Sequence, residues 1–579
     1  MSWRTFCVKT AVCFGSNVVL GVAFLDFGAQ CLYAVNCNVV THNPPSEADK
    51  ALTAADYGKA AELYRAQLAK QPGDDDLIAG IVHSLLRQQK VQDAADAANA
   101  SLAAHANSPA LLTLRGEVQL RQGEPWAAGE SANASFNLDP CNPRTHLLLA
   151  SLARLSSSYA TELRQILVAH QLDPEDPEIT STWMGTLPIK ERISELESYL
   201  SAPRGGDTGD LLHLHSTLDR LKKLDAEPKK SCRLASPTSA AEIPFIKLMY
   251  DGTHMRSLGL EVKLNNHSAR LEIDTGAGGL VVSRSVAARA GLQAFAQTKM
   301  GGIGDQGDKA GYTAYADSIR IGGLEFQNCA VHVIDSRDVV DVDGLIGMDV
   351  FSNFLVTLDY PMRKLVLEPL PPRPGEAAVA APQLNTQNDE ADSAAEPDSN
   401  DPQDQHSGTS SSPGAGSHPA GDKPEPHGPY DRYIAPEMKD YTKVYRVGHD
   451  LILPAQINGA MIKLFILDTG AFATTISPSA ARQVTTVHSD NSMTVKGISG
   501  NVNKVYYAGD LTLRFAHMSQ RVQGAVAFDT SQVSNNAGME ISGFLGASTL
   551  YLLTIHIDYR DGLVKFDYDP NRGYKFWNQ

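Results

Sequence analysis

Two short runs in this sequence hold the residue types best suited to chemistry, Asp274-Thr275-Gly276-Ala277 and Asp468-Thr469-Gly470-Ala471. Each follows an apolar, strand-like run (Leu271-Glu272-Ile273 and Phe465-Ile466-Leu467) and leads into a small-residue turn. A lone copy reads as an ordinary turn, since Asp and Gly are favoured there. Two copies in matched surroundings imply a joint role. Two carboxylates held about 3 Å apart cannot both ionise; they share one proton, so that a base and an acid coexist at a single pH. Such a pair can activate water and protonate a carbonyl or a leaving amine with neither a metal nor a covalent nucleophile.

The surroundings repeat as well. Leu280-Val281-Val282-Ser283 and Thr475-Ile476-Ser477 follow the two motifs, each succeeded by an Ala-rich helix-like stretch. A glycine-rich turn comes next, Gly301-Gly302-Ile303-Gly304 at 27 residues past Asp274 and Gly497-Ile498-Ser499-Gly500 at 29 past Asp468. Such turns suit hairpin tips. Gly344-Leu345-Ile346-Gly347 and Gly543-Phe544-Leu545-Gly546 begin 70 and 75 residues past the two acids, and an Asp-Tyr pair begins 12 residues after the last glycine of each, at Asp359 and Asp558. Landmarks in one shared order indicate an internal duplication.

In these motifs the chain resembles the retropepsin-like aspartyl proteases, over 258–370 and 451–569. The resemblance implies two small closed β-barrel lobes that meet at one peptide-hydrolysing site, with Asp274 and Asp468 as the catalytic pair. It implies that Gly301, Gly302, Ile303 and Gly304, with Gly497, Ile498, Ser499 and Gly500, form the flap tips, and that Leu345-Ile346-Gly347 and Phe544-Leu545-Gly546 support the catalytic loops. Gly276 and Gly470 let backbone approach the carboxylates, and the hydroxyls of Thr275 and Thr469 can hydrogen-bond across the lobe interface. The turns themselves lack the family's flap tyrosine; Tyr312, Tyr315, Tyr506 and Tyr507 stand a few residues beyond. Lobes of this kind pair either within one chain or with a twin in a second chain, and both arrangements stay open.

The elements that must position these residues are strands. From about residue 241 to 370, and again from 431 to 579, short β-branched and apolar runs alternate with Gly, Asn and Asp. Between the lobes, 371–430 is rich in Pro, Gly, Ser, Asp and Ala with almost no large hydrophobe, which predicts a disordered linker. Its reach as a flexible coil is about 40 Å, enough to let the lobes face each other.

Upstream, 46–200 is Ala- and Leu-rich with helical periodicity, and small residues recur every 34 positions: Ala60, Ala94 and Ala128; Val82, Gly116 and Ala150; Ser101, Ser135 and Ala169. Pro72, Pro140 and Pro174 follow the same step. This resembles tetratricopeptide repeats, helical hairpins that stack into a solenoid. Such a stack offers a concave surface for a polypeptide substrate or partner protein, or serves as a spacer. A helical connector is expected over 201–240. The fold class expected is therefore multidomain α + β: a helical solenoid followed by two all-β barrel lobes.

The first 45 residues carry Arg4 and Lys9 and then an apolar run from Thr10 to Leu25. They read as a secretory signal or an N-terminal membrane anchor, and hence as export to the periplasm, the exterior or a membrane face. The seven cysteines, at 7, 13, 31, 37, 141, 232 and 329, show no paired spacing. They read as small core hydrophobes rather than as a disulfide framework or zinc site. His332, His488, His517 and His556 lack a metal or triad context. No metal and no cofactor is expected. A formal net charge of −16 opposes nucleic-acid binding. The leading reading is an aspartic endopeptidase; the alternative is a non-catalytic peptide-binding scaffold built from the same parts.

Overall fold

The computed structural model describes residues 37–201, 208–226, 232–237, 239–249, 254–334, 342–374, 430–489 and 494–573. Of the expected leader, 1–36 lies outside the described residues, and of the expected linker, 375–429 does. No described helix is long and apolar enough to cross a membrane.

The helices occupy the N-terminal part and keep a 34-residue step. Asp75–Arg87, Pro109–Arg121, Pro143–Leu155 and Pro177–Gly185 each start 34 residues after the one before, and Tyr57–Leu68, Val91–Ala104, Pro125–Leu138 and Tyr159–Leu172 alternate with them at the same interval. The period is written into the helix starts: Asp74, Ser108, Asn142 and Asp176 each accept a first-turn backbone N–H, and Pro109, Pro143 and Pro177 follow three of them. Ala60, Ala94 and Ala128 are completely buried where the helices approach. The helices Ile189–Ser201 and Thr208–Ala226 close this region.

Two β lobes follow, with matching topology. In the first, strand Gly344–Gly347 inserts between His267–Asp274, to which it runs parallel, and Leu280–Ser283, to which it is antiparallel. Pairing continues through Met255–Leu264, Lys309–Ile321 and Leu324–Ile334 back to Leu280–Ser283, closing a barrel. The second lobe repeats the insertion, with Gly543–Leu545 between Met461–Leu467 and Thr475–Ile476. Its long hairpin is broken into two paired halves, Val505–Ala508 with Ala525–Phe528 and Leu511–Phe515 with Met518–Val522.

A six-stranded sheet joins the lobes, and at its centre Phe354–Asp359 pairs antiparallel with Thr554–Asp558, Thr357 facing His556. The Asp-Tyr landmarks end these two strands, with Tyr360 and Tyr559 wholly buried beside them. The lobes thus pair within one chain. Beside this sheet Arg373 donates to Asp561 Oδ1 at 2.6 Å, and the Tyr433 amide donates to the same oxygen at 2.8 Å.

The helical region packs on the second lobe. Leu120, Trp126 and Leu155 join the cluster of Tyr445, Ile452, Leu464, Met539, Ile541 and Phe544. The Glu540 amide donates to the Arg121 carbonyl at 3.0 Å, and the Thr161 amide donates to Asp431 at 2.7 Å.

One expectation is overturned. Cys37 is bonded to Cys141, and Cys232 to Cys329. Partners 104 and 97 residues apart leave no local spacing to read, so tertiary structure alone brings them together. Residues just after Cys37 are tied to the helices too, by a Val40 N–H bond to the Leu172 carbonyl at 2.8 Å and by His42 against Asp173, also at 2.8 Å.

Candidate active site

The inserted strands bring the two acidic loops to the seam between the lobes. In the first lobe Gly347 lies beside Asp274 in the ladder, and its amide donates to the Gly279 carbonyl at 2.8 Å. In the second, the Asp468 amide donates to the Leu545 carbonyl at 3.0 Å, and the Gly546 amide to Thr474 Oγ1 at 3.1 Å. The glycines of these segments face backbone directly. A Cβ on Gly347 would stand 2.2 Å from the Ala277 carbonyl oxygen, and one on Gly546 2.3 Å from that of Ala473.

Across the seam the loops lock reciprocally. The Thr275 amide donates to Thr469 Oγ1 at 3.1 Å and the Thr469 amide to Thr275 Oγ1 at 3.0 Å. Each hydroxyl then donates to a carbonyl of the opposite strand, Thr275 to Leu467 at 2.7 Å and Thr469 to Ile273 at 3.2 Å. Both threonines are buried, so the four bonds act in a low-dielectric setting where an unmade one is costly.

This lock aims the carboxylates at each other. Asp468 is buried and Asp274 half-buried. Each DTG glycine is pressed against the opposite acid: a Cβ on Gly276 would lie 2.7 Å from Asp468 Cγ, and one on Gly470 2.4 Å from Asp274 Cγ. Burial pushes Asp274 well above the usual carboxylate range, and the neighbouring charges of Asp468 and Glu272 add to it. Burial also raises Asp468, against the pull of donors from Ala471, Asp274 and Gly470 and of the His449 charge. The pair is therefore built to hold a proton between its members.

The two glycine-rich turns meet each other. The first, between strands Gln293–Met300 and Lys309–Ile321, and the second, between Lys496–Gly497 and Gly500–Asn501, exchange bonds: Gly302 N–H to Ser499 Oγ at 3.1 Å, Ser499 N–H to the Ile303 carbonyl at 3.0 Å, and Gln306 N–H to the Ser499 carbonyl at 2.8 Å. Gly304, at φ +131, and Gly497 make the contact possible, since side chains there would overlap Ser499 and Ile303 backbone. Each tip isoleucine packs on the other lobe. Ile498 lies against Ala277, Val281, Ile334 and Leu345, and Ile303 joins the cluster that contains Ala471, Phe528 and Phe544. Gly301 sits exposed at the base of its turn. A cavity of about 170 Å³ lies between Gly302–Asp305 and the second lobe's Phe528, Asp529 and Ser531–Val533.

The tyrosines beyond the turns are engaged elsewhere, Tyr315 stacked on Phe295 and Tyr506 under Arg482. Of the four histidines set aside, His332 and His556 bond to Thr313 and Thr357, and His488 and His517 are exposed. Sequence reasoning passed over three residues at the seam. Asp349, two residues after Gly347, accepts the Gly279 amide with both oxygens. Glu272 is buried two residues before Asp274. His449 sits 3.3 Å from the Gly276 carbonyl across the seam. None of the three stood out in the sequence: the second lobe has Ser548 where the first has Asp349, Glu272 alternates with the core residues Leu271 and Ile273 as a solvent-facing strand position would, and His449 lies in a turn.

A sequence-family model described as aspartyl protease matches the chain twice, over residues 260–350 and 453–549. The chain therefore carries two tandem aspartyl-protease-like regions, each holding one of the acids. No curated protein gives a significant match.

Proposed function

We propose that the protein is an aspartic endopeptidase whose one active site uses Asp274 and Asp468 together. The observation that carries this reading is the meeting of the two acidic loops at the seam, where the DTG glycine of each lobe lies directly against the carboxyl group of the other lobe's Asp. A water held between them attacks the scissile carbonyl carbon. As the new C–O bond forms, the ionised carboxylate takes a water proton and the protonated one gives its proton to the carbonyl oxygen. The resulting diol then collapses: the first acid passes its proton to the leaving nitrogen, the second recovers one from a diol hydroxyl, the C–N bond breaks, and the starting pair is restored. The paired turns cover the seam, and their exchanged bonds must open to admit a polypeptide.

The helical hairpins, with their 34-residue period, support a tetratricopeptide-like docking domain for substrate or a partner protein, fixed on the second lobe. The two disulfides support an oxidising compartment and hence export. If a leader is removed, the cut falls before Cys37, whose bond to Cys141 would otherwise be lost; mass spectrometry of the mature N-terminus tests this.

The test of the activity is cleavage of an unfolded protein between about pH 3 and 7, where a carboxylate pair titrates. Asp274→Asn and Asp468→Asn should each abolish it. Activity surviving either change would remove the shared site, and an inactive wild type would favour the binding-scaffold reading.

A further inference from the structure

Resting on the peptidase reading, we propose that the two acids are not interchangeable: Asp468 takes the proton from water, Asp274 protonates the carbonyl oxygen, and Glu272 and His449 are positioning residues that fix this division. The duplicated lobes differ in the surroundings that matter for it. Asp468 Oδ1 accepts two backbone N–H groups, from Gly470 and Ala471, both at 2.9 Å. Asp274 Oδ1 accepts one, from Gly276 at 2.9 Å, while the Ala277 amide turns to the Asp274 backbone carbonyl at 3.4 Å. Backbone donors favour the ionised form, and Asp468 has the larger share.

The neighbouring charges point the same way. Glu272, 5% exposed, lies two positions before Asp274 on the same face of its strand; the second lobe has the apolar, buried Ile466 at that position. Burial raises Glu272's own carboxyl, against the Arg256 guanidinium 3.4 Å away, and Asp468 also acts on it; once ionised, it makes it harder for Asp274 to lose its proton. On the other side, His449 precedes strand Asp450–Ile457 of the second lobe and donates from Nε2 to the Gly276 carbonyl of the first at 3.3 Å. When protonated, its charge favours ionised Asp468 and Asp349. The remaining groups facing this region are Tyr360 and Tyr551 near Asp274, Asp450 at 3.5 Å from His449, and Arg446 and Tyr559 near Asp349. The directions found for the two acids agree, since Glu272 is among the causes that raise Asp274 and His449 among those that pull Asp468 down.

The experiment is the pH profile of kcat/KM for the full chain on a peptide substrate, comparing wild type with Glu272→Gln, Glu272→Asp and His449→Gln. The acidic limb reports loss of ionised Asp468 and the basic limb loss of protonated Asp274. Removing the Glu272 charge should lower the basic limb by about one pH unit and the acidic limb by clearly less, and Glu272→Asp should restore both. His449→Gln should raise the acidic limb and leave the basic one. Limbs that move equally, exchange partners or stay still overturn the assignment. A ¹³C-carboxylate NMR titration of the same proteins reads both ionisations without turnover. If wild type cleaves nothing, the peptidase reading falls, while the assignment of the two acids is still decided by whether Glu272→Gln lowers Asp274 more than Asp468.

Discussion

Thr275 and Thr469 each receive the other's backbone N–H on their hydroxyl oxygen, at 3.0 and 3.1 Å, so that neither acidic loop is fully hydrogen-bonded without the other. Thr469→Val keeps the shape but leaves the Thr275 amide and the Ile273 carbonyl buried without partners. Each such group costs about 1–3 kcal/mol. The variant should unfold at lower denaturant concentration by that combined amount and lose activity, whereas Thr469→Ser should retain most of both. Urea titration alongside a cleavage assay makes the comparison.

Gly470→Ala places a methyl group 2.4 Å from Asp274 Cγ. The carboxylate must move, and displacement of a reacting group by about 1 Å costs on the order of 10²-fold in rate. We expect kcat to fall by at least that factor with KM little changed, measured by steady-state kinetics on a peptide. Gly459→Ala, in open space at φ +71 far from the acids, should cost stability through backbone strain but not kcat.

Asp558 is buried, and its carboxyl is pushed up to about 6 by burial first and by the Asp561 charge second, against Arg560 and Arg373. Its folded value lies above its unfolded one. The folded state therefore binds more protons between about pH 4 and 6, and stability falls as pH rises through that window. Asp558→Asn should remove this dependence: the variant gains stability relative to wild type above pH 6, by on the order of 2 kcal/mol, and the gain vanishes below pH 4. Equilibrium unfolding at several pH values tests the sign.

The bond between Cys232 and Cys329 fixes the chain entering the first lobe to strand Leu324–Ile334. Reducing it, or replacing both residues with Ala, should destabilise the first lobe by about 2–4 kcal/mol. Without reductant, where the Cys37–Cys141 bond stays intact in both proteins, the unfolding curve of the double variant should fall below that of wild type.

What the sequence made legible was local. The DTG loops, the Gly-Leu-Ile-Gly and Gly-Phe-Leu-Gly segments and the helical period are each carried by residues within one turn or one repeat, because close backbone approach requires glycine and helix contact requires small side chains. The reciprocal threonine bonds followed from residue type, since a hydroxyl beside a loop amide can both accept and donate. What stayed hidden depends on long-range closure. Cys37 and Cys141 meet because the helices stack, the tips of the two turns meet because the lobes share a sheet, and His449 meets Gly276 because a turn of one lobe reaches the other. Pairing within one chain is a property of Phe354–Asp359 lying beside Thr554–Asp558; the Asp-Tyr repeat marks these strands as counterparts, but not that they pair with each other.

The convergence of Arg373 and Tyr433 on a single oxygen of Asp561 bears on how this gene can change. The chain leaves the first lobe and enters the second at one point, so the stretch between them bridges almost no distance. Its length and composition are thus decoupled from the geometry of the cleft, and sequence can be inserted, deleted or exchanged for a tag there with the two halves still in register.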